Sequence, residues 1–481
     1  MKKDTLVDAV GLINEELINE ASEKPKKKKV NYIKWVSAVA AALVVIMVSV
    51  ILIDPFKPQV IVPQGLSIIK AEYPQMEKYP EYDDMGNWES YEKAYDAWFE
   101  DKEKQKNQYD GYEKGLEEFF KVTVKEFLAG ESTENKAYSP LNLYFALCML
   151  SETTEGESRQ EVLNLLGSED IGALRKQAKA IWNANYSSDG LSESLLGSSI
   201  WIDNIVPVNE DVLLSLKNNY FASAYFGDLY SEEINNELKN WLNENTGGLL
   251  KDVVEKTEFD AETLLAIIST LYFRDKWENG FGVNSTETDT FYSPEGETQA
   301  EFMKGWEFGK YFIGESFGAV KKNFMGGGGM WFILPDEGVS ANELILRDSA
   351  LEFIATNGDG FENKELLINL SLPKFDVTSK LVLAEGLKNL GVKEVFGKNA
   401  DFSALCGENS GLSVSEVKQN ARVKIDEEGV EAAAFTIITA DGGAILPDDE
   451  IDFVLNRPFI YVITGADGLP LFVGIINNPA E

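Results

Sequence analysis

The sequence contains no histidine, and this absence excludes several kinds of active site. A Ser-His-Asp triad, a histidine general base and a histidine metal ligand all need the imidazole ring, whose pKa lies near neutrality. Cysteine is almost absent too, since Cys148 and Cys406 are the two in the chain. Two cysteines cannot build a disulfide framework. Cys148, inside the apolar stretch YFALCMLSE, is predicted to be a small buried hydrophobic residue.

Positive charge is scarce, with 44 Lys and Arg against 80 Asp and Glu and a formal net charge of -36. Nucleic acid is therefore excluded as a partner, because phosphate binding needs clustered Lys and Arg. The sequence has no Gly-x-Ser-x-Gly motif, and the glycine run MGGGGMW at 325–331 lacks the Gly-Lys-Ser/Thr of a phosphate loop. The absence of these motifs and of histidine predicts that the chain is not an enzyme and has no cofactor and no metal site. The glycine run itself predicts a turn before a strand.

One long uncharged run is present, WVSAVAAALVVIMVSVILI at residues 35–53. It is long enough to cross the hydrocarbon core of a bilayer. Lysines precede it in KPKKKKVNYIK, so the positive-inside rule predicts that residues 1–34 form a basic cytoplasmic segment. The alternative is a cleaved signal peptide, which is disfavoured because Asp54, Pro55 and Phe56 offer no small-residue cleavage site. We expect a single-pass protein of the cell membrane with its folded part outside.

Two regions follow this run. Residues 54–111 are rich in Tyr, Glu, Asp, Lys and Pro and poor in aliphatic residues, which predicts an extracellular spacer, partly helical towards its end. From residue 112 to 481, helical patterns come first and strands with period-2 alternation dominate later. Because helices and strands do not alternate strictly, the fold class is predicted to be α+β with antiparallel sheets.

The C-terminal stretch FVLNRPFIYVITGADGLPLFVGIINNP at 453–479 closely resembles the signature of the serpin family. The signature begins at Asn456, Arg457, Pro458 and Phe459. Further blocks that resemble the family occur in the family's order: YSPLNLYFALCML, NWLNENTGGLLKDVV, STLYFRDKWENGF, MWFILPDE, LSLPKFDV, LGVKEVF and ADFSAL. The resemblance spans residues 112–481. It implies the serpin fold, with three β-sheets, about nine helices and an exposed reactive loop that inserts into the largest sheet after cleavage.

The stretch KIDEEGVEAAAFTIITADGGAILP at 424–447 resembles the hinge and reactive loop of inhibitory members. The hinge comprises Glu427, Glu428, Gly429, Val430, Glu431, Ala432, Ala433 and Ala434. A segment that becomes a central strand must present small or apolar residues to the core and no proline. Val430, Ala432 and Ala434 share one face, and residues 427–446 contain no proline. Without the resemblance, an ordinary edge strand and turn would suit the pattern.

Gly429 is expected to serve as a pivot, because glycine accepts φ values that other residues resist.

The usual spacing in the family implies a reactive bond between Gly443 and Ala444. Glycine is a poor specificity residue, so bonds after Ala440, Ala444, Ile445 or Leu446 remain alternatives. The small apolar residues here favour elastase-like or subtilisin-like proteases as partners. Trypsin-like proteases are disfavoured because residues 427–456 contain no Lys or Arg.

The family often has histidine beneath the opening of its central sheet, whereas this chain has Gln419, and it has Ser269 where asparagine is common. We predict that Ser139, Asn142, Ser269 and Gln419 form a hydrogen-bonded cluster that controls sheet opening, because buried polar groups need partners. Ordinary solvated polar side chains are the alternative.

The resemblance implies an irreversible suicide-substrate inhibitor of serine endopeptidases, and cysteine endopeptidases are not excluded. The target protease supplies the chemistry and is trapped as a covalent acyl-enzyme, so the chain itself is not an enzyme. We expect a monomer without cofactors, a membrane-anchored member of bacterial type. The alternative function is a non-inhibitory binding protein of the cell surface with the serpin fold.

Overall fold

The computed structural model describes residues 60–61, 66–81, 87–130, 132–407, 411–430 and 449–480. Within these ranges no helix has both the length and the apolar character needed to cross a membrane. The expected basic segment 1–34 and transmembrane segment 35–53 lie outside the described residues. Their assignments stay predictions.

The described residues contain twelve α-helices, of which three are single turns of four residues. The resemblance implied about nine for residues 112–481, where eleven are described, three of them these single turns. The helices are α1 Trp88–Lys106, α2 Glu117–Leu128, α3 Pro140–Thr153, α4 Gly156–Leu165, α5 Ile171–Asn185, α6 Glu210–Tyr220, α7 Glu232–Asn245, α8 Lys251–Val254, α9 Ala341–Leu344, α10 Asp348–Ala355, α11 Ala384–Asn389 and α12 Ser403–Cys406.

Nineteen strands are described, and together with the helices they confirm the predicted α+β class. The strands are β1 Val60–Ile61, β2 Ser67–Ile69, β3 Lys136–Tyr138, β4 Ser187–Ser188, β5 Glu193–Asp203, β6 Val208–Asn209, β7 Ala222–Gly227, β8 Leu265–Lys276, β9 Thr286–Ser293, β10 Gly296–Gly314, β11 Phe317–Asn323, β12 Gly329–Pro335, β13 Glu362–Pro373, β14 Phe375–Val382, β15 Lys418–Ile425, β16 Gly429–Val430, β17 Glu450–Val454, β18 Phe459–Thr464 and β19 Pro470–Ile476.

The strands form two large sheets and one two-stranded pair, β1 with β6. The eight-stranded sheet, here called the central sheet, has the order β14-β15-β16-β8-β5-β7-β2, with β4 paired to β5. The nine-stranded sheet, here called the second sheet, has the order β17-β13-β10-β11-β12-β18-β19-β3, with β9 paired to β10. The resemblance implied three β-sheets, and the described strands form these three. The 19-residue strand β10 makes the second sheet large, because it pairs with β9 and β13 along its length and with β11 at its end.

Helix α3 lies at the centre of the fold, where it packs against β8 of the central sheet and β19 of the second sheet. Ser139 is its N-cap and Pro140 its first residue, a pairing that suits the unpaired amides at a helix start. Twelve of its 14 residues are buried, as expected for a helix that is apolar on all sides. Cys148 is among them and fully buried, which confirms that prediction.

Residues 66–81 and 87–111 pack against the rest of the fold, which differs from the expected spacer. Strand β2 forms the edge of the central sheet beside β7. The ring of Tyr73 stacks on Trp182 at 5.5 Å, and helix α1 buries Trp98 and Lys102. The composition of this stretch hid its packing, because the buried groups are aromatic and charged rather than aliphatic.

Candidate functional site

The hinge begins as a tight hairpin between β15 and β16. Ile425 pairs with Val430, and the amide of Asp426 donates to the carbonyl of Gly429 at 3.0 Å. Oδ1 of Asp426 accepts hydrogen bonds from the amides of Glu428 at 2.9 Å and Gly429 at 3.3 Å. An Asp side chain that binds amides two and three residues ahead favours a turn. The chain therefore reverses here and enters the central sheet.

The carbonyl groups of the hairpin turn are held by the segment that follows β8. The amide and the indole Nε1 of Trp277 donate to the carbonyls of Glu428, at 2.8 Å, and Asp426, at 3.0 Å. The amide of Phe281 donates to the carbonyl of Glu427 at 2.8 Å. Backbone carbonyl groups that are shielded from water need hydrogen-bond donors, and these bonds supply them. They therefore fix the turn at one end of the sheet.

Gly429 is required at its position because the backbone of β8 lies very close. Strand β16 is antiparallel to β8, with Gly429 opposite Lys276 and Val430 opposite Asp275. A Cβ atom on Gly429 would lie 2.1 Å from the carbonyl oxygen of Asp275. The expected reason for this glycine, an unusual φ, is wrong, because Gly429 is not among the glycines with positive φ. Its role is close approach between two strands.

Glu427 anchors the hinge by an ion pair. Its Oε1 lies 2.7 Å from Nζ of Lys374 and accepts a hydrogen bond from Oγ1 of Thr286 at 2.7 Å. Burial disfavours the charged carboxylate, but the hydrogen bonds from Lys374 and Thr286 outweigh it and lower the pKa of Glu427. The carboxylate is thus held ionised between Lys374, which links β13 to β14, and Thr286, the first residue of β9.

Val430 is the last hinge residue that the structure describes, and its side chain is 3% exposed. Its burial agrees with the predicted inward face of the hinge. The expected hinge residues Glu431, Ala432, Ala433 and Ala434 lie outside the described residues. So do the candidate reactive-bond residues Gly443, Ala444, Ala440, Ile445 and Leu446. Their assignments stay predictions.

Among the described residues, the central sheet has no full-length strand between β8 and β15. In the part of the chain that the structure describes, β16 is the only strand between them, and it has two residues, whereas β8 has 12 and β15 has 8. A strand that continued β16 would be antiparallel to both neighbours. The position at which a loop would insert is therefore defined by the described strands, and Val430 stands at its entrance.

The predicted polar cluster is brought together at the start of α3. The Ser139 amide donates to Oε1 of Gln419 at 2.7 Å, and Nε2 of Gln419 donates to the Ser139 carbonyl at 2.9 Å. Nδ2 of Asn142 donates to the carbonyl of Ser269 at 3.0 Å. Ser139 Oγ caps the amide of Asn142 and donates to the carbonyl of Leu471 at 2.6 Å. The cluster connects β15 and β8 through α3.

The contribution of Ser269 to this cluster differs from the expectation in one respect. Its carbonyl, rather than its hydroxyl, accepts the hydrogen bond from Asn142. Any residue at this position presents the same carbonyl, so the side chain gave no information about the contact. Gln419 is 5% exposed, so the alternative of a solvated glutamine is wrong.

The signature residues support the strand that follows the reactive loop. After β17, which is parallel to β13, the carbonyl of Asn456 accepts a hydrogen bond from the amide of Tyr292 at 2.8 Å. Nη2 of Arg457 donates to the carbonyl of Pro335 at 2.9 Å. Phe459 is fully buried at the start of β18. These contacts fix the connection between β17 and β18 on the second sheet.

Sequence reasoning missed several residues that shape the hinge. Lys374 and Thr286 hold Glu427, and Asp275 lies opposite Val430 on β8. The aspartate of IDEEG could have indicated the turn at Asp426, since Asp commonly begins a turn. Lys374 gave no signal, because a lone lysine after a strand is usually solvated. Among the described residues no group of acidic, Cys or His side chains could hold a metal ion.

Comparison with known proteins places this geometry in a family. The family model Serpin (serine protease inhibitor) matches residues 116–479. Serpin-Z1A of Triticum aestivum is 27% identical over 363 residues, which cover 72% of this chain and 91% of that protein. Neuroserpin of Mus musculus is 27% identical over 368 residues, which cover 72% of this chain and 86% of that protein.

A solved structure agrees with the fold. The crystal structure of the thermophilic serpin tengpin in the native state superposes with a TM-score of 0.69 at 26% identity, covering 78% of this chain and 95% of tengpin. The family is one of protease inhibitors, not enzymes, which confirms that the chain is not an enzyme. With its hinge between β8 and β15 and its family match over residues 116–479, this chain belongs to the serpin family.

Proposed function

We propose that this serpin is an irreversible suicide-substrate inhibitor of serine endopeptidases, and that cysteine endopeptidases are trapped in the same way. The observation that carries the proposal is the entry of Gly429 and Val430 between β8 and β15. An inhibitory loop must continue from this point as a strand, so its first residues must be small or apolar and must already lie in line with the gap. Val430 meets both conditions.

The target protease supplies the nucleophile, which attacks the carbonyl of the bait residue and forms an acyl-enzyme. The bond after the bait residue breaks, and the freed N-terminal part of the loop extends β16 between β8 and β15. The added residues form backbone hydrogen bonds to β8 and β15 alternately, and the small side chains of one face become buried. Insertion carries the acylated protease away and distorts its active site before water attacks the ester.

The bait bond is proposed to be Gly443–Ala444, with bonds after Ala440, Ala444, Ile445 and Leu446 as alternatives. The small apolar residues in this stretch suit the narrow or shallow apolar pockets of elastase-like and subtilisin-like proteases. No Lys or Arg is available as a bait for a trypsin-like protease between residues 427 and 456. The partner is held as a covalent acyl complex by one inhibitor chain.

We further propose that residues 35–53 anchor the chain in the cell membrane as a single helix. The uncharged run has a sufficient length, and lysines precede it. Residues 1–34 would then lie in the cytoplasm and the serpin fold outside the cell, where it protects the surface against extracellular proteases. Treatment of intact cells with an added protease tests the orientation. The protease should remove only residues after 53 and leave the preceding residues with the cell.

Inhibition is tested by incubating the full chain, in detergent, with subtilisin and pancreatic elastase, followed by a denaturing gel and intact mass spectrometry. We expect an adduct that survives denaturation and a released C-terminal peptide that begins between residues 441 and 447. Protease inactivated beforehand at its serine is the matched control and should give neither product. Cleavage without an adduct by every protease would contradict inhibition and favour the non-inhibitory binding protein.

A further inference from the structure

Helix α1 carries a buried ion pair although it precedes the residues that match the family model, 116–479. Lys102 is 6% exposed and Asp189 is 0% exposed. Nζ of Lys102 lies 2.8 Å from Oδ2 of Asp189 and donates to the hydroxyls of Ser187 at 3.1 Å and Ser192 at 3.0 Å. A charge buried this deeply is retained only with such partners. The helix is therefore built into the fold at this point.

The acceptor side of the pair is also saturated. Oδ2 of Asp189 accepts a hydrogen bond from the indole Nε1 of Trp98 at 2.9 Å, so two residues of α1 contact the same carboxylate. Oδ1 accepts the amides of Leu191 at 3.0 Å and Ser192 at 2.8 Å, within the turn between β4 and β5. Burial disfavours the Asp189 carboxylate, but the charge of Lys102 and the hydrogen bonds from Lys102, Ser192 and Trp98 together outweigh it, so the pKa of Asp189 is lowered. The pair joins α1 to the start of β5.

The same ammonium reaches the turn that leads into β12. Nζ of Lys102 lies 3.4 Å from the carbonyl oxygen of Gly326. The amide of Gly326 donates to Oδ1 of Asp275 at 3.1 Å, and the amide of Met325 donates to the carbonyl of Lys276 at 2.9 Å. A Cβ on Gly326 would lie 2.4 Å from Oδ2 of Asp275, so this turn is pressed against the end of β8.

The end of β8 is the strand segment that receives the hinge. Asp275 pairs with Val430 and Lys276 with Gly429. A continuous path of contacts therefore runs from Lys102 through Gly326 and Asp275 to Val430. Each step is a hydrogen bond or a backbone strand pairing; Lys102, Asp275 and Val430 are buried, and Gly326 is half-buried. The path connects the N-terminal extension to the entrance for loop insertion.

We propose that Lys102 is a positioning residue for loop insertion, which holds the end of β8 in register with the hinge through the Gly326 turn. The proposal rests on the proposed inhibitory function. The extension, residues 66–81 and 87–106, thus acts as an internal brace: it sets where β8 ends and so whether the loop extends β16 before the acyl-enzyme is hydrolysed. Without the brace, more encounters end as cleaved inhibitor and free protease.

The test replaces Lys102 with methionine, which keeps the length of the side chain and removes its charge and donors. The control is Lys104→Met on the same helix, because Lys104 is exposed and its ion pair with Glu100 is solvated. Hydrogen exchange of the full chain is followed in peptides that cover 270–277 and 425–430. We expect Lys102→Met to speed exchange in both by about tenfold or more, since removal of one partner leaves a buried carboxylate unpaired.

A second variant separates positioning from stability. The double variant Lys102→Met/Asp189→Asn removes both charges, so it should recover much of the thermal stability. It still offers no donor to the carbonyl of Gly326, and we expect exchange at 425–430 to stay fast. The number of inhibitor molecules consumed per trapped subtilisin should rise in both Lys102 variants and stay at the wild-type value in Lys104→Met.

The inference is overturned if exchange at 270–277 and 425–430 is the same in Lys102→Met as in Lys104→Met, even when α1 itself exchanges faster. It is also overturned if the double variant restores hinge exchange together with stability. Should Lys102→Met fail to fold, Trp98→Phe removes one donor to Asp189 and predicts a smaller change in the same direction. If the wild type forms no adduct, only the inhibitory function is contradicted. The exchange experiment still tests the coupling between Lys102 and the hinge, because it does not require an adduct.

Discussion

The main chain of Ser139 and the side-chain amide of Gln419 exchange two hydrogen bonds, at 2.7 and 2.9 Å. On the same helix, one turn further on, Asn142 donates to the carbonyl of Ser269 on β8. The start of α3 therefore holds both strands that flank the position for loop insertion. We therefore expect the cluster to resist opening of the sheet, because separation of β15 from β8 would strain or break at least one of these bonds.

Gln419→Leu should weaken this restraint. The substitution keeps the approximate volume but leaves the buried amide and carbonyl of Ser139 without partners, each at a cost of about 1–3 kcal/mol. We expect a lower midpoint of thermal unfolding and faster spontaneous loss of inhibitory activity during storage at 37 °C. Differential scanning fluorimetry and timed assays of residual inhibition measure the two effects.

Asn420→Leu is the matched control, because the neighbouring side chain on β15 points to the exposed face. It should change neither quantity appreciably. Equal behaviour of the two variants would show that the bonds between Gln419 and Ser139 do not restrain the sheet.

Val430→Arg tests the hinge itself. Val430 is already buried opposite Asp275, so a guanidinium at this position would place an unpaired charge in the core where the loop would begin to insert. We expect the variant to be cleaved by subtilisin at the same bond but to give little or no stable adduct. The ratio of cleaved inhibitor to adduct on a denaturing gel is the measurement. Asn420→Arg, which adds the same charge to an exposed position of the sheet, should keep the wild-type ratio, and an unchanged ratio in Val430→Arg would contradict insertion from this hinge.

The described start of the hinge, residues 427–430, could be located from the sequence, because a segment that inserts as a strand would need a local pattern. Small residues at alternate positions and the lack of proline mark a segment that must become a strand. The reason for Gly429 could not be predicted in the same way. Its requirement comes from the backbone of β8, which precedes it by more than 150 residues and approaches to within 2.1 Å of its ideal Cβ position. Such long-range contact leaves no trace in local spacing.

The packing of residues 66–111 was not predictable for a similar reason. Helix α1 buries only Trp98 and Lys102, so its sequence resembles a solvated helix. The partners that bury Lys102 include Gly326, which is 224 residues away. Composition measures aliphatic content and therefore overlooks a segment whose buried groups are aromatic rings and one charged pair.

Lys374→Met should loosen the hinge in a pH-dependent manner. The folded-state pKa of Glu427 is lowered, with burial opposing and Lys374 and Thr286 favouring the charged form. A group with a depressed folded-state pKa stabilises the fold above its unfolded-state pKa, and this stabilisation is lost as the pH falls through the folded-state value. Wild type should therefore keep its hinge protection from pH 7 down to the ordinary glutamate pKa of 4.5 and lose it as the pH falls further, and Lys374→Met should start with less protection and lose less.

Hydrogen exchange at residues 425–430, corrected for the intrinsic pH dependence, measures this difference. Lys388→Met is the control, since Lys388 pairs with Glu385 on the surface, away from the hinge. Parallel loss of protection in wild type and Lys374→Met would mean that the ion pair with Glu427 does not hold the turn.

Asp275→Asn should stabilise the protein at neutral and alkaline pH. Burial raises the pKa of Asp275 to about 8, against the bonds from Gly326 and Lys276 and the charge of Lys102, while Asp189 adds to the increase. Between the unfolded-state pKa and this value the native state holds one proton more than the unfolded state. Its stability falls as the pH rises, by about 1.4 kcal/mol per pH unit at most for one group.

Asparagine keeps an oxygen that accepts both amide hydrogen bonds, at 3.1 Å from Gly326 and 2.8 Å from Lys276, and it does not titrate. Urea unfolding of both proteins at a series of pH values should therefore give similar stabilities near pH 4.5 and a growing advantage for the variant up to about pH 8. Asp467→Asn is an informative comparison, because burial raises the pKa of Asp467 only to about 6, so its advantage should level off earlier. A difference between wild type and Asp275→Asn that does not change with pH would show that Asp275 remains ionised in the folded protein, with Lys102 close enough to keep it so.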